Sequence, residues 1–150
     1  MRQNDKELLI KDLCARLPYG VIVHIEYDEN TSVTREMGMG SLHDIMFDNA
    51  EGKPYLRPMY SMTEEEFTKL KEYSEWKYDQ LDLDSFQDGA YKCLDFYLSE
   101  VPSGSVIRVF DWLNKYHFDY RDLIQMGLAI AVTENNNPYK TLKTWKNKIH

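Results

Sequence analysis

Two stretches of this chain gather side chains able to recognise a ligand. In Lys53 to Met59, KPYLRPM, Arg57 stands beside Tyr55 between two prolines. Each proline fixes its own φ and holds the preceding residue extended, so a guanidinium and an aromatic ring are presented with little conformational freedom left to lose on binding. The second stretch, WLNKYHFDYR, collects Trp112, Asn114, Tyr116, His117, Tyr120 and Arg121. Rings that stack and an arginine that pairs with phosphate or carboxylate are the parts of a nucleotide or peptide recognition site. The same residues also read as structure: Asp119 as a helix cap, Arg121 paired with an acid, His117 bonded to a backbone carbonyl and the rings as core. The candidate ligand- or partner-binding set is Tyr55, Arg57, Trp112, Asn114, His117, Tyr120 and Arg121.

Other chemistry finds fewer parts. His24 and Glu26 project from one side of an expected strand, as metal ligands or a base pair of groups would. A zinc deaminase reading of His-x-Glu needs a downstream Pro-Cys-x-x-Cys, and the chain has no CxxC, so both residues read as structural or solvent-facing. His43 and Asp44, adjacent on an expected strand, point to opposite faces. Gly38-Met39-Gly40-Ser41 lacks a following Lys-Ser/Thr and no helical pattern opens there, so it reads as a bend between strands rather than a phosphate loop. Cys14 and Cys93 lie on apolar stripes without a neighbouring histidine and read as core. No catalytic set, metal site or cofactor motif emerges, and a non-enzymatic protein is expected.

Composition sets the frame. The 150 residues suit one domain, and two cysteines are too few for a disulfide scaffold or zinc ribbon, which favours a reducing, cytoplasmic setting. The first residues reach Lys11 after three apolar positions and no run approaches about 18 apolar residues, so neither a signal peptide nor a membrane span is expected. Net charge is −7, but residues 63–100 carry 4 basic and 11 acidic groups, against 7 and 10 in residues 1–62 and 7 and 4 in residues 101–150. The acidic segment repels phosphate backbones, which argues against direct duplex DNA binding, and attracts a basic or nucleic-acid-binding protein. A helix-turn-helix over Ser105 to Met126 is disfavoured for the same reason, since Asp119 and Asp122 would face phosphates.

The elements that must position these residues follow from spacing. Asn4 with Glu7 predicts a capping box for a helix carrying Leu9, Leu13 and Leu17, stopped by Pro18. Val21, Val23, Ile25 and Tyr27 alternate as a strand, Thr31 to Met37 reads as a weaker one, and Leu42 to Phe47 as a third, giving a small antiparallel meander over about residues 19–56. Thr63 and Glu66 form a capping box before a helix with Phe67, Leu70, Tyr73 and Trp76 inward; Asp79 to Asp84 is an acidic linker; Phe86 to Glu100 is a further helix with Phe86, Ala90, Cys93, Leu94 and Tyr97 inward, ended by Val101 to Gly104. From Ser105, Val106, Phe110 and Leu113 share one helical face and Val109, Trp112 and Tyr116 its neighbour, with a strand at Val106 to Phe110 as the competing reading. Asp119 then caps a short helix, Tyr120 to Met126, closed by Gly127, and Leu128 to Val132 returns to the sheet. Residues 138–150 form a basic extension bearing Lys140, Lys143, Lys146 and Lys148, with Leu142, Trp145 and Ile149 as an apolar edge. The expected class is α+β, a single domain of one small sheet and four to five helices.

Three strings, KELLIKDLCARLPYGV, KPYLRPMYSMTEEE and FDWLNKYHFDYRDLIQMGLAI, cover about a third of the chain. In these the sequence resembles an uncharacterised family of small proteins carried by gut Bacteroidales phages and mobile elements; the tail from Thr141 lies outside the pattern. The resemblance implies a context without a mechanism: an accessory or inhibitor protein acting on a host or defence protein, or one that sequesters a nucleotide. The functional expectation is therefore a non-enzymatic interaction module, with binding of a nucleotide or other small anionic ligand as the alternative. Homo-oligomerisation is left open.

Overall fold

The computed structural model describes residues 2–75, 82–89 and 103–140. It is α+β, and its contacts group into two compact units: one comprises the chain up to Arg57 together with the described residues from Arg121 onward, the other runs from Pro58 to Tyr120. The second unit is thus inserted in sequence within the first.

The first unit opens with α1 (Gln3–Arg16), whose Leu9 and Leu13 are buried. The expected capping box is absent: the helix starts before Asn4, its N-cap is Arg2, and no side chain caps it. Cys14 departs from expectation as well. It is exposed, while Asp12 and Arg16 fill the inner face. After a 3-10 turn at Leu17–Tyr19 and the left-handed Gly20, β1 (Ile22–Asp28) and β2 (Thr31–Glu36) form an antiparallel hairpin, with a register irregularity between Glu26 and Asp28. At its turn the Asp28 carboxylate accepts from Asn30 N–H at 2.8 Å, which with the Thr31 hydroxyl holds the carboxyl below the usual carboxylate range.

The chain next departs from the expected meander. Leu42 to Phe47 is not a third strand; Met39–Met46 is a helix, α2, burying Ser41, Leu42 and Ile45. Gly38 opens this helix, accepting from and donating to the Ser41 hydroxyl, so the glycine-rich segment is a helix start rather than a bend. Leu42 and Ile45, three apart, face inward together only on a helix. Strand β3 (Glu51–Leu56) pairs antiparallel with β1, and Gly52 lets α2 approach, because a Cβ there would lie 2.4 Å from the Ile45 Cδ1. Residues returning from the inserted unit supply β4 (Ile130–Ala131), parallel to β3, as the apolar Leu128 to Val132 run predicts. The sheet order is β2-β1-β3-β4. Val21, Val23 and Ile25 meet Leu9, Leu13, Leu42 and Ile45 on one face of it. The expected helix at Tyr120 to Met126 is a series of turns; Asp122 takes a positive φ of 60°, incompatible with a continuous right-handed helix, and buried Leu123 anchors them.

In the second unit α3 (Glu64–Ser74) carries the expected capping box, with Glu66 N–H donating to the Thr63 hydroxyl and Thr63 N–H to the Glu66 carboxylate, both at 3.1 Å. Phe67, Leu70 and Ser74 are its buried face; Tyr73, expected inward, is exposed, since the 67, 70, 74 spacing follows the 3.6-residue period more closely. Helix α4 (Leu83–Asp88) is capped by Asp82, and α5 (Ser103–Lys115) is helical through Val106 to Phe110, which excludes the strand reading there. Phe67, Leu70, Phe86, Val109, Leu113 and Phe118 form this unit's core. Trp76, the remainder of the helix expected to Glu100 with Cys93, and the lysine-bearing segment beyond Lys140 lie outside the described residues.

Candidate interaction surface

The aromatic corner belongs to the interior of the second unit. Trp112, Asn114, His117 and Tyr120 are buried. The Tyr120 hydroxyl donates to the Asn114 side-chain carbonyl at 2.8 Å, and the Trp112 ring stacks on Phe118 with centroids 5.8 Å apart and planes 10° from parallel. His117 takes a positive φ of 64° just past the end of α5, and Phe118 N–H closes the turn onto Leu113 O at 2.9 Å. The sequence signal at this corner, dense rings with polar tips, is therefore met by packing and by internal hydrogen bonds such as that of Tyr120 to Asn114.

Arg121 belongs to the first unit, where Asp12 accepts from Arg121 Nη1 at 2.7 Å and from Arg16 Nε at 2.9 Å. Asp12 and Arg16 are 0% exposed and the Arg121 side chain 9%. A carboxylate flanked by two guanidiniums away from water is held together by charge-assisted hydrogen bonds. Arg121 is paired with an acid, as the structural reading of the corner expects, while the i, i+4 spacing of Asp12 and Arg16 looks in the sequence like an ordinary surface pair.

Tyr55 and Arg57, the remaining candidates, are half-buried at the end of β3 and just beyond it. Tyr55 takes part in an unusual rung of the sheet. Val23 lies opposite Pro54, which has no N–H, so theirs is a pair without ladder hydrogen bonds. The next rung would join Ile22 N–H to Tyr55 O. Instead the Tyr139 hydroxyl stands between them, accepting from Ile22 N–H at 3.0 Å and donating to Tyr55 O at 2.6 Å. Burial pushes the Tyr139 phenol up from its ordinary pKa, with the Ile22 N–H opposing.

An open polar cleft of about 400 Å³ is lined by Tyr55 of this rung with Thr34, Glu134, the three asparagines Asn135 to Asn137, Pro138 and Lys140. The Asn137 side chain accepts from the N–H groups of Tyr139 and Lys140 at 3.1 and 3.2 Å, folding the wall into a tight turn. At one margin is Thr34, whose hydroxyl meets His24 Nδ1 at 2.9 Å; the other nitrogen of that imidazole lies 3.5 Å from Glu26. His24 and Glu26 thus share one face, as expected, each with an identified neighbour.

Thr34 also belongs to the sheet's free edge. All six residues of β2 are exposed, and among the described residues no strand pairs with its outer side. Its polarity can be derived. Met37 N–H donates to Val21 O at 2.8 Å, so in the same register the backbone groups of Arg35 and Val33 turn toward β1, and those of Ser32 and Thr34 turn outward. Sequence reasoning missed this edge because an edge strand and an inner strand differ in neighbours, not in composition. Among the described residues no helix is long and apolar enough to cross a membrane, and no three His, Cys, Asp or Glu side chains converge on one point. No family model, curated protein or solved structure matches the chain.

Proposed function

We propose that the protein is a non-enzymatic interaction module that takes an extended segment of a partner protein onto the free edge of β2. The observation that carries this reading is the outward direction of the Ser32 and Thr34 backbone groups on a strand exposed along its whole length. Strand addition draws affinity from main-chain hydrogen bonds and specificity from alternate side chains, and the polar cleft beside Thr34 offers amides, hydroxyls and a lysine to such side chains. In the context of the phage and mobile-element proteins the sequence resembles, the partner would be a host or defence protein.

Thr34→Pro tests the reading. Proline removes the outward N–H without touching a backbone bond to β1, and edge positions tolerate it; Thr34→Val, which drops only the hydroxyl contact to His24, is the control and should keep the partner. A partner captured by the wild-type chain at low salt and lost by Thr34→Pro, with circular dichroism unchanged, is the expected result; equal capture by both would refute it. A second reading rests on Tyr55 and Lys140 lining one cleft, a ring and a cation suited to a small anionic ligand. A nucleotide at 100 times its Kd raises stability by roughly 2.7 kcal/mol, so a thermal shift panel decides it, and no shift with any nucleotide excludes it.

A further inference from the structure

The paired registers align side chains in rows across the sheet, on the face opposite α1 and α2. Val23 and Ile25 pack with those helices, so Ile22, His24 and Glu26 point to the other side, together with their partners in β2 and β3. One row reads Ser32, Glu26, Glu51 from the free edge inward; the next reads Thr34, His24, Lys53.

The first row sets two carboxylates directly opposite each other on adjacent strands, an arrangement that is unfavourable by itself. Glu26 has the His24 imidazole 3.5 Å away, a partner charged only when protonated, and among the described residues Glu51 makes no ion pair. Ser32, the edge member of the row, is small and exposed. A strand added beside β2 would lie about 10 Å from Glu26, two strand spacings away, with only the serine side chain between. A long cationic side chain at that place spans the gap and meets the acidic row.

We infer that the strand received by β2 carries a Lys or Arg at the position facing Ser32, its cation directed across the serine onto Glu26 and Glu51. The inference rests on the strand-addition reading above and names the chemistry of its occupant. It also argues against a second copy of this chain in that place: antiparallel pairing of two β2 strands centred on Thr34 sets Glu36 of the other copy against Ser32, adding a third carboxylate to the row.

The test uses the full chain with an added extended peptide, Thr-Val-Thr-X-Thr-Val-Thr, joined through a flexible Gly/Ser linker so that its effective concentration reaches the millimolar range. X is Lys, Gln or Glu, and amide hydrogen exchange at Ser32 and Thr34 is read directly. The expected outcome is protection of both amides, roughly two- to fivefold greater with Lys than with Gln, least with Glu, and narrowing at high salt. In a Glu26→Gln, Glu51→Gln double variant the Lys preference disappears while protection itself persists. Equal protection whatever X is overturns the basic-strand inference and leaves strand addition standing. Absence of protection with every peptide overturns both.

Discussion

Asp12 and Arg121 stand 109 residues apart in the chain and are joined by a 2.7 Å bond between carboxylate and guanidinium. Arg121 is the first residue of the return into the first unit, so this contact fastens the returning segment of that unit to α1. The same carboxylate holds Arg16, and the three side chains form a nearly dry ionic cluster.

Asp12→Ala removes the carboxylate that the Arg16 and Arg121 guanidiniums share. Loss of one partner of a buried pair typically costs about 3–5 kcal/mol, and urea unfolding of this variant is expected to fall in that range. Replacing Asp12, Arg16 and Arg121 together with Leu or Met should recover most of the loss. A triple variant as unstable as Asp12→Ala would mean that the cluster does more than satisfy its own charges.

Tyr139→Phe takes the bridging hydroxyl out of the rung between Ile22 and Tyr55. A buried N–H and C=O left unbridged cost about 1–3 kcal/mol, measurable by denaturant unfolding. The same phenol predicts an alkaline dependence. Its folded pKa lies above the unfolded value near 10, so its contribution is complete below about pH 10 and declines as the unfolded state ionises above it. Stability measured between pH 9 and 11 should therefore fall less steeply in Tyr139→Phe than in the wild type.

Gly52→Ala places a methyl group 2.4 Å from the Ile45 Cδ1. Overpacking of this kind costs roughly 1–3 kcal/mol. The double variant with Ile45→Val removes the nearer of the two colliding atoms, Cδ1, leaving Cγ1 at 2.9 Å, and it should be more stable than Gly52→Ala alone. Additive losses in the pair would show that β3 needs glycine for some reason other than the approach of α2.

Thr63→Ala removes the side-chain half of the box at the start of α3. A destabilisation of about 1 kcal/mol is expected, with Thr63→Ser close to the wild type, because the hydroxyl accepting from Glu66 N–H is the operative group. Thermal unfolding of the two variants reads the difference.

What local chemistry dictates was legible in the sequence. Thr63 and Glu66 mark a helix start wherever they are placed, the alternation of Val21, Val23 and Ile25 specifies a strand with one buried face, and Leu128 to Val132 is apolar enough to rejoin a sheet. These signals act between neighbours in the chain, so composition and spacing carry them. Tertiary structure decided the rest. Leu42 and Ile45 pack inward from a helix whose close approach to the sheet needs Gly52, a residue of a separate strand that leaves room for Ile45. Cys14 faces outward and Arg16 inward because the Asp12 carboxylate, itself held by the distant Arg121, supplies the negative charge that makes burial of the Arg16 guanidinium tolerable. The seven candidate side chains were parted in the same way: Trp112, Asn114, His117 and Tyr120 packed into a core, Arg121 bound to Asp12, and Tyr55 and Arg57 left half-buried at the end of β3. An open edge at β2 follows from which strands pair, and pairing is a relation between segments that no single stretch of sequence contains.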